Sequence, residues 1–170
     1  MTETDPERPT VRTWYVLHVK PRTEKKVHER LGIMGVFHYL PLYKKVTKVQ
    51  RRRVVRYLPL FPGYVFTRLF PDERIEILKT QNIVRTIEVN APRRMIHQLR
   101  QIAHAGALPD ELRKVERFEV NEHVRVQSGP LRGVEGYVQR VDGVTSIVLL
   151  LDILGQAVET RVNPVDLEKI

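Results

Sequence analysis

Two prolines and a glycine lead the apolar stretch PLFPGYVF, Pro59 to Phe66, into a strand. Proline has no N–H to give to an interior ladder position, so this segment enters a sheet through a turn or along an edge. Pro62 fixes the approach, and Gly63 admits a positive φ or a close backbone contact. Tyr64, Val65 and Phe66 then continue as β-formers, with Tyr64 and Phe66 on one face. Either face of that strand can be the core face.

The flanking sequence says what the strand joins. TWYVLHVK is apolar on both faces and reads as a central strand. A helix follows, with Thr23 at its cap, Glu24 at its positive end, Val27, Leu31 and Met34 as its buried stripe and Gly35 at its C-terminus. VFHYLPLY is the next strand, which Pro41 makes an edge or bulges, and KKVTKVQRRRVVRY is a hairpin with its tip at Gln50 to Arg53. After PLFPGYVFTRL returns, Pro71 and Asp72 open a short helix capped by Asp72, with Ile75 and Leu78 facing inward, and NIVRTIEV is a further strand. The order β-α-β-β-α-β predicts an α+β domain, an antiparallel sheet flanked by helices. RRMIHQLRQIAHAG adds a third helix with Met95, Leu99, Ile102 and Ala103 on one face and Gly106 at its end.

From Arg117 the pattern changes to short strands: HVRVQ, VEGYVQRV, TSIVLLLDIL, QAVETRV and VDLEKI. Asp142-Gly143 is a tight-turn signal, and Ser128-Gly129-Pro130 and Asn163-Pro164 are further breaks. Five strands in about 55 residues predict a small barrel, because closure removes most exposed edges. The predicted organisation is a tail over 1–12, an α+β domain over 13–106, a linker over 107–115 and an all-β, SH3-like barrel over 116–170.

Charge separates the two halves. Residues 1–115 carry 23 Lys and Arg against 11 Asp and Glu, whereas residues 116–170 carry 6 against 9. A basic first half suits a polyanion; an acidic module is repelled by one unless a local patch compensates. Lys44 to Arg56 holds seven cations and no acid. The chain has no cysteine, hence no disulfide framework or thiolate metal site. MTETDPERPT is neither a signal nor a transit sequence, and no apolar run reaches the roughly 18 residues that span a bilayer. A cytoplasmic protein without a membrane role is expected. The six histidines form no i,i+4 metal pair, and neither a GxxxxGK[ST] loop nor an HExxH motif occurs. No enzyme activity, metal or cofactor is expected.

WYVLHVKPRTEKKV, PLFPGYVF and the glycine-spaced VRVQSGPLRGVEGYVQRV, in this order, resemble the NusG family of transcription elongation and antitermination factors. The resemblance makes the first domain an NGN domain and the barrel a KOW domain, in which Gly129, Gly133 and Gly136 permit the turn and close strand packing. It implies an apolar surface that grips the clamp helices of the largest RNA polymerase subunit by helix-in-groove recognition. Phe61, Tyr64, Phe66 and Ile87 match that surface. Phe61 and Tyr64 are expected at the contact, while Phe66 suits core or contact equally.

The family resemblance extends to nucleic acid and to partners of the barrel. Lys20, Lys26 and Arg30 match positions that meet the non-template DNA strand in specialised relatives, and Arg22, Lys26 and Arg30 form one cationic ridge on the first helix. Arg51, Arg52 and Arg53 at the hairpin tip are further candidates for nucleic acid. In the general factor an Ile-Phe-Gly-Arg turn meets Rho or a ribosomal small-subunit protein; here it reads Ile153-Leu154-Gly155-Gln156. Weak or absent Rho binding follows, with Ile153 and Leu154 as the contact. The style of the basic hairpin and first helix favours a specialised antiterminator paralogue acting as a monomer. The rival reading is a ribosome- or RNA-associated KOW protein that never meets polymerase.

Overall fold

The structure, a computed structural model, describes residues 11–107, 112–115 and 121–170. Residues 1–10 of the expected tail, 108–111 of the expected linker and 116–120 at the expected barrel start lie outside the described residues.

In chain order the elements begin with β1 (Thr13–Val19), α1 (Glu24–Ile33), β2 (Phe37–Tyr39), β3 (Leu42–Val49) and β4 (Arg52–Pro59). Next come β5 (Tyr64–Leu69), α2 (Pro71–Leu78), β6 (Ile83–Glu88), α3 (Pro92–Gly106) and β7 (Arg113–Val115). The chain closes with β8 (His123–Val126), β9 (Glu135–Val141), β10 (Val144–Leu151), β11 (Gln156–Arg161) and β12 (Leu167–Lys169). Two compact units form: one from the chain up to Leu42 with Phe61–Asn90, the other from Tyr43–Leu60 with Ala91–Ile170. The second unit thus takes in β4, nearly all of β3 and α3, which the sequence pattern places with the N-terminal domain.

In the first unit the sheet runs β2-β5-β1-β6, every pair antiparallel. β1 is central, as its two apolar faces require. Pro41 stops β2 after Tyr39, so β2 is a short edge strand and the chain leaves the sheet at β3. Leu17, Val19, Val65 and Leu69 of the sheet pack with Val27 and Leu31 of α1 and Ile77 of α2, so both helices cover one face. The α+β class is as expected.

Local details depart from the sequence expectations. Thr23 stands at the N-cap, but its hydroxyl donates to the Lys20 carbonyl instead of accepting from the helix. Met34 is half-buried beside the core, and Gly35 adopts φ +68° just past the helix, where a side chain would be strained. Arg22 precedes α1 with φ +65°, so only Lys26 and Arg30 of the expected ridge lie on the helix. α2 starts at Pro71 with Phe70 as N-cap, not Asp72; the Phe70 N–H donates to the Glu73 carboxylate at 2.8 Å. Ile77 is its buried residue, while Ile75 and Leu78 are exposed. Three apolar residues crowd the end of this two-turn helix, and the spacing alone does not choose among them.

In the second unit the sheet order is β12-β8-β9-β10-β11-β7. All five expected strands form, and β7, inside the expected linker, adds a sixth by pairing with β11. The β9–β10 hairpin turns through Asp142 and Gly143, both at positive φ. A Cβ on Gly136 would lie 2.4 Å from the Val148 carbonyl oxygen, so only glycine permits this approach of β9 to β10. α3 buries Met95, Leu99, Ile102 and Ala105; Ala103 is exposed, one helical step off the stripe. β3 and β4 pair as a separate two-stranded ribbon that turns at Gln50 and Arg51, both at positive φ.

Candidate functional site

The FPGY stretch is a type II β-turn. The Tyr64 N–H reaches the Phe61 carbonyl at 3.2 Å, with Pro62 and Gly63 (φ +86°) at the two central positions. Both backbone groups of Gly63 are held: its N–H donates to Glu24 Oε1 and its carbonyl accepts from the Val19 N–H, each at 2.8 Å. Glu24 is buried, 7% exposed. Its place at the start of α1 was legible as a charge suited to the helix dipole; its bond to a glycine 39 residues away was not. The carboxylate therefore stabilises the helix end and fixes the turn that launches β5.

Directly paired residues share a face in an antiparallel sheet, so the register defines the face that α1 and α2 leave uncovered. One row across it is Tyr39, Phe66, Val16 and Ile87; the next is Tyr64, His18 and Arg85; a third holds Phe37, Arg68 and Trp14. Tyr64 stacks on His18 with ring centroids 5.1 Å apart and planes 20° apart, and Trp14 meets Phe37 edge to face at 5.1 Å. Tyr64, Phe66 and Ile87 thus share one face. Phe66 is fully buried, Tyr64 and Ile87 are half-buried, and Phe61, expected at a contact surface, is 1% exposed. Burial raises the Tyr39 phenol pKa on the same face.

The cationic candidates fall into two groups. Lys20, Lys26 and Arg30 are exposed in the first unit, but Arg30 lies 3.9 Å from Glu76 of α2, which also pairs with Lys79. Arg51, Arg52 and Arg53 are exposed at the tip of the β3–β4 ribbon. In the second unit, Ile153 and Leu154 are half-exposed in a 3-10 turn (Asp152–Leu154) that ends at Gly155 with φ +60°. Asp152, at the base of this turn, pairs with Arg94 at 2.5 Å and accepts from Gln98 Nε2 at 2.7 Å. Among the described residues no group of three or more His, Cys, Asp or Glu is placed to hold a metal ion, and no helix is long and apolar enough to cross a membrane.

The family model described as "Transcription termination factor nusG" matches residues 12–102, more than half of the chain. The chain belongs to the NusG family. It is similar to the transcription termination/antitermination protein NusG of Borreliella burgdorferi, 24% identical over 94% of this chain and 99% of the relative. It is similar also to the protein of that name from Synechocystis, 25% identical over 99% of this chain and 92% of the relative. A solved structure titled "Domain interaction in Thermotoga maritima NusG" matches 94% of this chain and 97% of its own at 22% identity, with a TM-score of 0.48. NusG-family proteins are transcription factors and not enzymes, and this chain combines a sheet-and-helix N-terminal part with an all-strand C-terminal part.

Proposed function

We propose that this NusG-family chain is a cytoplasmic elongation and antitermination factor that docks on the clamp helices of the largest RNA polymerase subunit. The observation that carries the reading is Tyr64 stacked on His18, on the sheet face opposite α1 and α2 that also bears Ile87, with Tyr64 and Ile87 half-exposed and the turn before Tyr64 held by the Glu24–Gly63 bond. Phe61 and Phe66 are buried, and Tyr64 and Ile87 are the accessible members of the set. An apolar coiled-coil hairpin would cover such a surface as a helix fills a groove.

Lys20, Lys26 and the ribbon arginines then hold nucleic acid near the polymerase, with non-template DNA as the strand for Lys20 and Lys26. Arg30 contributes less because Glu76 shares its charge. Ile153 and Leu154 offer a small apolar contact to a ribosomal small-subunit protein. Rho binding is weak, for leucine lacks the area and ring stacking of phenylalanine. The basic ribbon supports a specialised antiterminator.

Tyr64→Ala is the test. Loss of one aromatic anchor commonly costs about 2 kcal/mol, or about 30-fold in the Kd for purified core polymerase. An unchanged Kd with native circular dichroism removes Tyr64 from the interface. Wild-type chain that ignores polymerase but retains ribosomal RNA favours the KOW-protein alternative.

A further inference from the structure

The barrel's acidic charge speaks against nucleic acid only when the barrel is taken without α3. α3 carries Arg93, Arg94 and Arg100 and no acid, and it lies in the same compact unit as the barrel. Its polar side chains bind barrel backbone directly. Gln98 Oε1 accepts from the Asp152 N–H at 3.2 Å, Gln101 Oε1 accepts from the Glu135 N–H at 3.3 Å, and His104 Nε2 lies 3.0 Å from the Pro130 carbonyl oxygen. These bonds turn a neighbouring stripe outward: Arg93, His97 and Arg100, spaced i, i+4, i+7 and all exposed.

Between α3 and the barrel lies a cleft of about 230 Å³. Tyr137 and His123, paired across β9 and β8 with ring centroids 5.0 Å apart, supply aromatic surface; Leu149 adds an apolar patch. Gln98 and Gln101 form the amide wall, and His97 links the cleft to the outward stripe. The two carboxylates that border it are already paired, Asp152 with Arg94 and Glu135 with Arg125 at 2.7 Å. Drug-sized ligands occupy pockets of about 300–1,000 Å³, so this one suits a single planar ring system.

We propose that this cleft takes one base of an unpaired nucleic-acid strand, stacked against Tyr137 and His123, with the adjoining phosphates along Arg93, His97 and Arg100. Aromatic platforms bind unpaired bases by stacking, and a flanking cationic track holds the backbone. Each glutamine amide has hydrogen-bonding capacity beyond its bonds to the barrel and can meet a base edge. RNA and DNA strands share this chemistry. The residues of this cleft are none of those proposed for polymerase or at the ribbon tip.

The test uses the full chain with Arg51, Arg52 and Arg53 changed to alanine, so that the ribbon does not mask the cleft. Fluorescence anisotropy with labelled single-stranded hepta-adenylate, in ribo and deoxy forms, measures Kd. Tyr137→Ala should weaken binding about 10-fold and Tyr137→Phe less than about twofold, because stacking needs the ring and not the hydroxyl. Arg93→Glu with Arg100→Glu, both on an exposed helix face, should also weaken binding and flatten the log-log salt slope by about 1.4, at roughly 0.7 per phosphate. Equal losses on both strands support recognition by stacking and phosphate, and a loss confined to RNA supports the same cleft with an added 2′-hydroxyl contact. Binding that survives both Tyr137→Ala and the arginine reversals, or no binding of either strand, overturns the proposal.

Discussion

Two hairpins in this protein reverse the chain in the same way and meet opposite fates. Gln50 and Arg51 turn β3 into β4, and Asp142 and Gly143 turn β9 into β10, all four residues at positive φ. In β10 the run from Thr145 to Leu149 is wholly buried, and its strand is paired on both sides, by β9 and β11. β3 and β4 pair only with one another among the described residues, and Val55 on β4 is 44% exposed. The turn decides where the chain reverses. Burial is decided by side-chain composition, since a ribbon carrying seven cations has no low-cost way to enter a core.

The contrast is most exposed to failure at Gly136. Gly136→Ala puts a Cβ against the Val148 carbonyl and should cost about 3 kcal/mol or more in urea unfolding; a near-neutral result would mean that β9 and β10 are not closely packed. Next in size is a paired truncation. Leu149→Ala, in the buried strand, should cost about 2–5 kcal/mol, whereas Val55→Ala in the ribbon should stay within about 0.5 kcal/mol. Similar values for the two would erase the difference between the hairpins.

Charge reversal at Arg51, Arg52 and Arg53 should leave the unfolding midpoint nearly unchanged and take about 2 from the log-log salt slope for a single strand. A fall in stability with no change in slope would make the ribbon a structural element. The smallest effect is expected at the turn itself. Arg51→Gly relieves a left-handed backbone, worth about 1–2 kcal/mol, and loses about 0.4–1 kcal/mol to a freer unfolded chain, so it should slow amide exchange in β3 and β4 by about threefold without moving global stability.

Much of the fold was legible because its determinants are local. The turn at Gly63, the tight turn at Asp142-Gly143, the glycine that ends α1 and the two-residue alternation of the barrel strands follow from backbone preferences and side-chain period. The grouping of Tyr64, Phe66 and Ile87 on one face was legible in part: period two places Tyr64 with Phe66, and family resemblance suggested Ile87. The burial of Phe61 was not, since an apolar residue beside a turn satisfies the same pattern inside or outside. The choice of Ile77 over Ile75 and Leu78, and of Ala105 over Ala103, likewise turns on a rotation of one helical step that only a packing partner sets.

The sequence alone determined where the chain turns, most of which segments are helix or strand, β7 and the break between β2 and β3 excepted, that cations concentrate in one hairpin and that two dissimilar parts follow one another. Those properties depend on neighbours a few residues apart. The tertiary structure alone decided that Glu24 holds Gly63, that Glu76 lies 3.9 Å from Arg30 and that α3 brings arginines to an acidic barrel. Each of these joins residues far apart in the chain. Side chains that can pair with many partners take the one that folding places within about 3–4 Å, and no local pattern carries that distance.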